Sequence, residues 1–154
     1  MRPAAWQTGA ALKNEVKAVD FKKLLERRFI LMDGAMGTML QRSGLEIGGI
    51  PERLNLTAPE LIKSIHKGYI DAGSDIVYTN TFGANRYKLK GESVEKVIGK
   101  AVDIAKKACG GRALAALDIG PIGQLLEPSG TLSFEEAYDI FKEDRKSTRL
   151  NSSH

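Results

Sequence analysis

The chain has 154 residues, 23 Lys+Arg against 19 Asp+Glu, two His and one Cys, for a formal charge of +4. That length suits one domain with a real core, and 42% apolar with 27% charged residues excludes wholesale disorder. One cysteine excludes an internal disulfide framework and a four-cysteine zinc site and fits a reducing, cytoplasmic setting; no apolar run approaches the ~20 residues of a membrane span.

The positive charge sits at the ends. Residues 1–28 hold seven basic and three acidic side chains, and residues 144–154 hold three basic and one acidic. Residues 29–143 are left with 13 basic and 15 acidic groups, so the body is slightly acidic. A nucleic-acid surface needs its basic residues gathered on the folded body, so no nucleic-acid partner is expected.

In chain order, residues 1–19 have no apolar core long enough for a secretory signal and are expected to form a disordered leader. Asp20 then caps a short amphipathic helix carrying Phe21, Leu24 and Leu25. Phe29-Ile30-Leu31-Met32 is a continuous apolar run, which predicts a strand buried on both faces. It ends in Asp33-Gly34-Ala35-Met36-Gly37-Thr38, which leads into a helix over Thr38–Gln41.

Thr57-Ala58-Pro59-Glu60 has the pattern of a capping box and opens a helix. Its stripe is Leu61, Ile62, Ile65, Tyr69 and Ile70, and Gly73 ends it. Residues 75–79 form the second strand. A helix from Ser93 to Cys109 follows, with Val94, Val97, Ile98, Ala101, Val102, Ile104 and Ala105 inward and Gly110-Gly111 as its stop. Residues 113–117 form the third strand. Ser133 and Glu136 make a second capping box for the last helix.

The final string, DRKSTRLNSSH, is polar and helix-poor, with no apolar period to continue that helix. It resembles a translated sequencing adapter and is expected to be a non-native tail that cuts the gene product near Glu143. The expected organisation is a leader over 1–19, the folded part over 20–143 and the tail over 144–154.

The β-α-β-α-β-α order, with roughly forty residues between strand starts, implies an α/β fold with right-handed crossovers and a parallel sheet. A doubly wound open sheet and a parallel (β/α)8 TIM-type barrel compete. Every strand ends in a polar, Gly-containing loop, and no strand-linked GxGxxG is present, which favours the barrel. At about 250 residues per barrel, only about the first three of eight β/α units are present.

Candidate site residues gather at those strand ends. Asp33 can accept hydrogen bonds from a ligand ammonium, and N–H groups at the helix start can bind a carboxylate. The same spacing suits Asp33 as a helix cap with the glycines making a tight turn. Thr79, Asn80, Thr81 and Phe82 read as ligand contacts or as turn-formers. Arg86 could bind an anion but belongs more naturally in solvent, and Asp118 could bond ligand or neighbouring loop. His66 reads as a surface or boundary residue, and Cys109 as a small apolar filler without a base partner. No catalytic residue and no metal ligand is assigned.

The strings ILMDGAMGTMLQ, RLNLTAPELIKSIHKGYIDAGSDIVYTNTFGANRYKL and LAALDIGPIGQLLEP together resemble the homocysteine-binding barrel of the homocysteine S-methyltransferases. The likeness is strongest to the amino-terminal module of the bacterial cobalamin-dependent branch, and it runs over residues 24–143. The resemblance implies methyl transfer to the zinc-bound thiolate of homocysteine to form methionine. It also implies downstream modules for cobalamin and a folate donor. A relative using a non-cobalamin donor, or a non-catalytic amino-acid-binding module, remains an alternative. It further implies substrate contacts from Asp33, Gly34, Ala35, Gly37, Thr38, Thr79, Asn80, Thr81, Phe82 and Asp118. The three cysteine ligands of that family would lie beyond Glu143, so this chain is expected to bind no zinc and to be inactive alone.

Overall fold

The computed structural model describes residues 20–149 apart from Arg28 and Ile47, with side chains up to Ser147. The leader over 1–19 and residues 150–154 of the tail lie outside the described residues. Helix α1 (Phe21–Leu25) is capped by Asp20, whose carboxylate accepts the Lys22 N–H at 3.0 Å. Of its apolar stripe only Leu24 is buried. Helix α2 (Met36–Arg42) is followed by a 3-10 turn (Pro51–Arg53) that runs into α3 (Leu54–Thr57) and α4 (Pro59–Asp71). Strand β1 (Ile76–Tyr78), α5 (Arg86–Leu89), α6 (Val94–Cys109), β2 (Leu114–Ala116) and α7 (Phe134–Arg149) complete the order.

β1 and β2 pair in parallel with Ile76 opposite Leu114 and Tyr78 opposite Ala116. The run at 29–32 differs from its reading as a doubly buried strand. It lies parallel beside β1 through a single bridge, Met32 with Ile76, and Phe29, Leu31 and Met32 are exposed. The run needs a partner on its outer side to be buried there, and among the described residues β1 is the strand that bridges to it. Asp75 fastens it: its carboxylate accepts the Leu31 N–H at 3.0 Å and the Arg27 guanidinium. The Leu31 N–H, with Arg27 beside it, holds Asp75 below the usual carboxylate range.

The helices follow local signals with instructive exceptions. Ser93 caps α6 by accepting the Lys96 N–H at 3.2 Å, and Gly110 closes it in the left-handed region at φ +51°. All seven residues predicted to face inward on α6 are buried. Gly73, at φ +107°, ends α4 with Ser74 N–H on Tyr69 O and Gly73 N–H on Ile70 O, a Schellman pair. The predicted box at Thr57 does not form. Ala58 is the N-cap of α4, and the Thr57 hydroxyl instead donates to Arg53 O within α3. Ser133 does cap α7 through the Glu136 N–H, while Glu136 turns its carboxylate to the Tyr87 hydroxyl at 2.7 Å.

α7 also runs past Glu143 to Arg149, where a helix-breaking string was expected. Ala137, Ile140, Asp144 and Ser147 are buried at three- and four-residue spacing, so one face continues without a break. The segment contains neither Gly nor Pro, and an established helix extends through such residues at little cost. The extension buries a carboxylate: Asp144 Oδ1 has no hydrogen-bond partner, and desolvation pushes its pKa up to about 6.

The core is continuous from α4 through α6. Leu40, Ile62, Ile65 and Ile104 form one group, and Ile70, Val77, Ala108, Cys109 and Ala113 form another under the sheet. Cys109 fills space there, as the sequence suggested. His66 does not lie at the surface: it is fully buried, and neither ring nitrogen has a hydrogen-bond partner. Desolvation lowers its pKa to about 4.

These two groups give stability opposite pH dependences. For His66 the folded pKa lies below the unfolded 6.5, so its contribution is complete above that value and lost as pH falls toward 4. The loss is about 3 kcal/mol in all. For Asp144 the folded pKa lies above the unfolded 3.8, so its contribution is complete at low pH and lost as pH rises through 6. In the Asp144→Asn background, urea unfolding is expected to show stability falling between pH 6.5 and 4. Adding His66→Leu is expected to remove most of that fall; an unchanged slope would refute this account.

Candidate functional site

Three strand-end loops converge on one open cleft of ≈ 690 Å³. Asp33 to Gly37 form one side, Tyr78 to Gly83 follow β1, and Asp118 lies beyond β2. The cleft is large enough for a drug-sized ligand.

The loops after β1 and β2 are tied by a closed ring. The Asp118 N–H donates to Thr79 Oγ1 at 3.2 Å, and Thr81 Oγ1 donates to Asp118 O at 2.7 Å. Each hydroxyl has one proton, so the 2.7 Å contact between Thr79 and Thr81 has Thr79 as donor. Asn80 is equally committed. Its amide donates to Pro51 O and Asn55 Oδ1, while Asn55 donates back to Asn80 O at 2.8 Å. Glu52 is buried, and its Oε1 accepts the Gly83 N–H at 2.5 Å. The side chains of Thr79, Asn80 and Thr81 thus shape the cleft by holding its loops, whereas Phe82 is 54% exposed at its edge.

On the first loop, Asp33 does not cap the helix. Ala35 is the N-cap of α2, without a side-chain cap bond, and both Asp33 oxygens accept the Tyr78 N–H at 3.1 and 3.2 Å. The carboxylate is thereby aimed between the first segment and β1, on the cleft wall. Burial pushes its pKa up, opposed by the Tyr78 N–H, and the nearby Asp118 adds to the rise. Burial raises Asp118 as well. α2 begins two residues earlier than the sequence suggested, so Gly37 and Thr38 lie in its first turn. The first-turn N–H groups of such a helix have no intrahelical acceptor.

At the cleft, Gly120 is required by close approach to backbone, and Gly34 is a tight fit against Tyr69. A Cβ on Gly34 would sit 3.0 Å from the Tyr69 hydroxyl, and one on Gly120 would sit 2.3 Å from Phe82 O. Sequence reasoning missed Glu52 and Asn55, whose partners Gly83 and Asn80 are distant in the chain. It also missed Lys88 and Lys90, which line the cleft. The basic residue it did single out, Arg86, pairs with Glu143 at 2.8 Å and lies outside the cleft lining.

Against this geometry, the sequence profile described as Homocysteine S-methyltransferase matches residues 30–152. The chain belongs to the homocysteine S-methyltransferase family. The methionine synthases of Mycobacterium tuberculosis and Mycobacterium leprae are each 43% identical over 72 residues, covering 43% of this chain and 6% of the relative. The metallated form of the homocysteine methyltransferase MmuM from Escherichia coli superposes with a TM-score of 0.71 at 23% identity, over 85% of this chain and 54% of that one. Its apo form gives 0.63 over 84% and 47%. This chain therefore spans about half of that solved fold and a small part of the mycobacterial enzymes.

The zinc chemistry that the resemblance implies needs thiolate donors, and the described cleft residues do not supply them. Among the described residues no group of three or more His, Cys, Asp or Glu side chains is arranged to hold a metal. Cys109 is buried under the sheet, outside the cleft, and burial pushes its thiol pKa up. The residues present do not fit a zinc–thiolate centre. Among the described residues no helix is long and apolar enough to cross a membrane.

Gly120→Ala is expected to cost about 2 kcal/mol, because the loop must move away from Phe82 O. Gly37→Ala, whose Cβ would meet nothing within 4 Å in a helix, is expected to leave stability unchanged or slightly higher. Urea denaturation of the two variants checks this, and equal losses would refute it.

Proposed function

We propose that this chain is the homocysteine-binding part of a homocysteine S-methyltransferase of the methionine-synthase type. In this reading it carries about the first three units of a parallel (β/α)8 barrel. The observation that carries the reading is the convergence of three strand-end loops on one cleft in a chain whose family match runs through all three. The exposed outer side of residues 29–32 and the apolar hollow of ≈ 420 Å³ along β2 support the partial barrel, as places where neighbouring strands would pack. The 43% identity to enzymes named methionine synthase supports the methionine-synthase type over a relative with another donor. Cobalamin and folate chemistry would then belong to further modules of the parent enzyme.

In this reading Asp33 receives the substrate ammonium. Its oxygens already take the Tyr78 N–H, which orients them, and a carboxylate keeps lone pairs for a further donor. The first-turn N–H groups of residues 35–38 lie beside it for the substrate carboxylate, with Gly34 keeping the backbone open. Phe82 contributes an apolar face for the thioether-forming side chain, and Asp118 lines the floor. The thiol of homocysteine is mostly protonated at neutral pH, and the family's zinc supplies the thiolate when its cysteines are present. This chain holds and orients the amino acid; it does not activate the sulfur.

Isothermal titration with L-homocysteine is expected to show binding that Asp33→Asn weakens about tenfold, the loss of one charge-assisted contact. Affinity is also expected to fall as pH drops through the raised Asp33 pKa, because only the ionised carboxylate pairs with ammonium. Purified chain is expected to carry no stoichiometric zinc by elemental analysis and to transfer no methyl group. Absence of homocysteine binding in the folded wild-type chain would overturn the amino-acid reading.

A further inference from the structure

We propose that Lys88 and Lys90 form an anion-binding subsite of this cleft, taking a carboxylate or phosphate group of a reactant. The inference rests on the cleft being a reactant site and adds a contact the family match does not assign. Arg27, Arg53, Arg86 and Arg112 each pair with a carboxylate, on Asp75, Glu92, Glu143 and Asp71. Lys88 and Lys90 differ. Both line the cleft, and among the described residues neither has a carboxylate within ion-pair distance.

Their placement is specific. Lys88 is half-buried, with its ammonium 5.6 Å from the centre of the exposed Phe82 ring. Its stem runs past Gly123, where a Cβ would stand 3.4 Å from Lys88 Cε. The ammonium thus lies beside the exposed Phe82 ring at the edge of the cleft, while Lys90 is exposed. Lys90 follows as the C-cap of α5 in the left-handed region, at φ +35°, a conformation that non-glycine residues rarely adopt. Two unneutralised cations share a cleft with Asp33 and Asp118, so the cleft is dipolar. A reactant with separated positive and negative groups is matched by that pattern.

The subsite chemistry is that of an anion held by two ammonium groups beside an aromatic face. Two sources supply such an anion: the carboxylate of the amino acid, which the lysines would then share with the first-turn N–H groups of α2, or an acidic group on a second reactant. The cleft is larger than an amino acid requires, which leaves space beside it for a further anionic group.

The test uses the whole chain, calorimetry and three probes: L-homocysteine, its carboxylate-free analogue 3-aminopropane-1-thiol, and inorganic phosphate. The Lys88→Gln/Lys90→Gln double variant, checked for fold by circular dichroism, is expected to lose phosphate affinity about tenfold and to leave 3-aminopropane-1-thiol unchanged. Wild-type phosphate binding is expected to weaken with added sodium chloride. A parallel loss of homocysteine affinity assigns the subsite to the amino-acid carboxylate; unchanged homocysteine affinity assigns it to the second reactant. Phosphate binding that is absent from the wild type, or equal in the double variant, overturns the proposal. Failure of the amino-acid reading is seen separately, as no response to homocysteine while the phosphate difference persists.

Discussion

The ring of three hydrogen bonds joining Thr79, Thr81 and Asp118 is the constraint on which the cleft depends. Strands β1 and β2 are only three residues long each, and a two-strand ladder alone fixes loop positions poorly. The ring carries the register of the pair beyond the last ladder bond and into the loops. Gly120 then allows the β2 loop to lie against Phe82 O, and the Asn55–Asn80 exchange ties the β1 loop to α3. Losing one hydroxyl would leave buried polar partners unmet, which costs more than the bond itself contributes.

The arrangement separates two duties within a few residues. Thr79, Asn80, Thr81 and Glu52 turn their polar atoms toward protein, so their role is to hold shape. Asp33, Asp118, Phe82, Lys88 and Lys90 present charge or an aromatic face to the cleft. Burial raises the pKa of both aspartates, a condition that a bound cation would relieve, so binding and ionisation are coupled at Asp33.

Local features were legible in the sequence where a few neighbouring residues decide them. Ser93, Gly110 and Gly73 mark helix ends because capping is settled within one turn, and the inward face of α6 follows from its 3.6-residue period. The three loop motifs were legible as a group because strand-end position follows from the β-α rhythm. What failed depended on distant partners. The apolar run at 29–32 predicts burial only if strands lie on both sides, and composition cannot say which strands are there. Thr57 could cap the helix after it or close the one before it, and α3 decided in favour of the latter. His66 looked like a boundary residue because the α4 stripe omits it, yet the chain covers that face as well. The hydrogen bonds of Thr79 and Asn80 to Asp118, Asn55 and Pro51 were hidden as well, because those partners are far from them in the chain.

The ring at Thr79, Thr81 and Asp118 also has a bearing on the order of synthesis. All its members lie before residue 119, and the helices that pack behind them are made close to them in sequence. These loops can therefore lock as soon as the stretch has left the ribosome. Later strands would then add to a cleft whose first half is already shaped, a template built in the direction of translation.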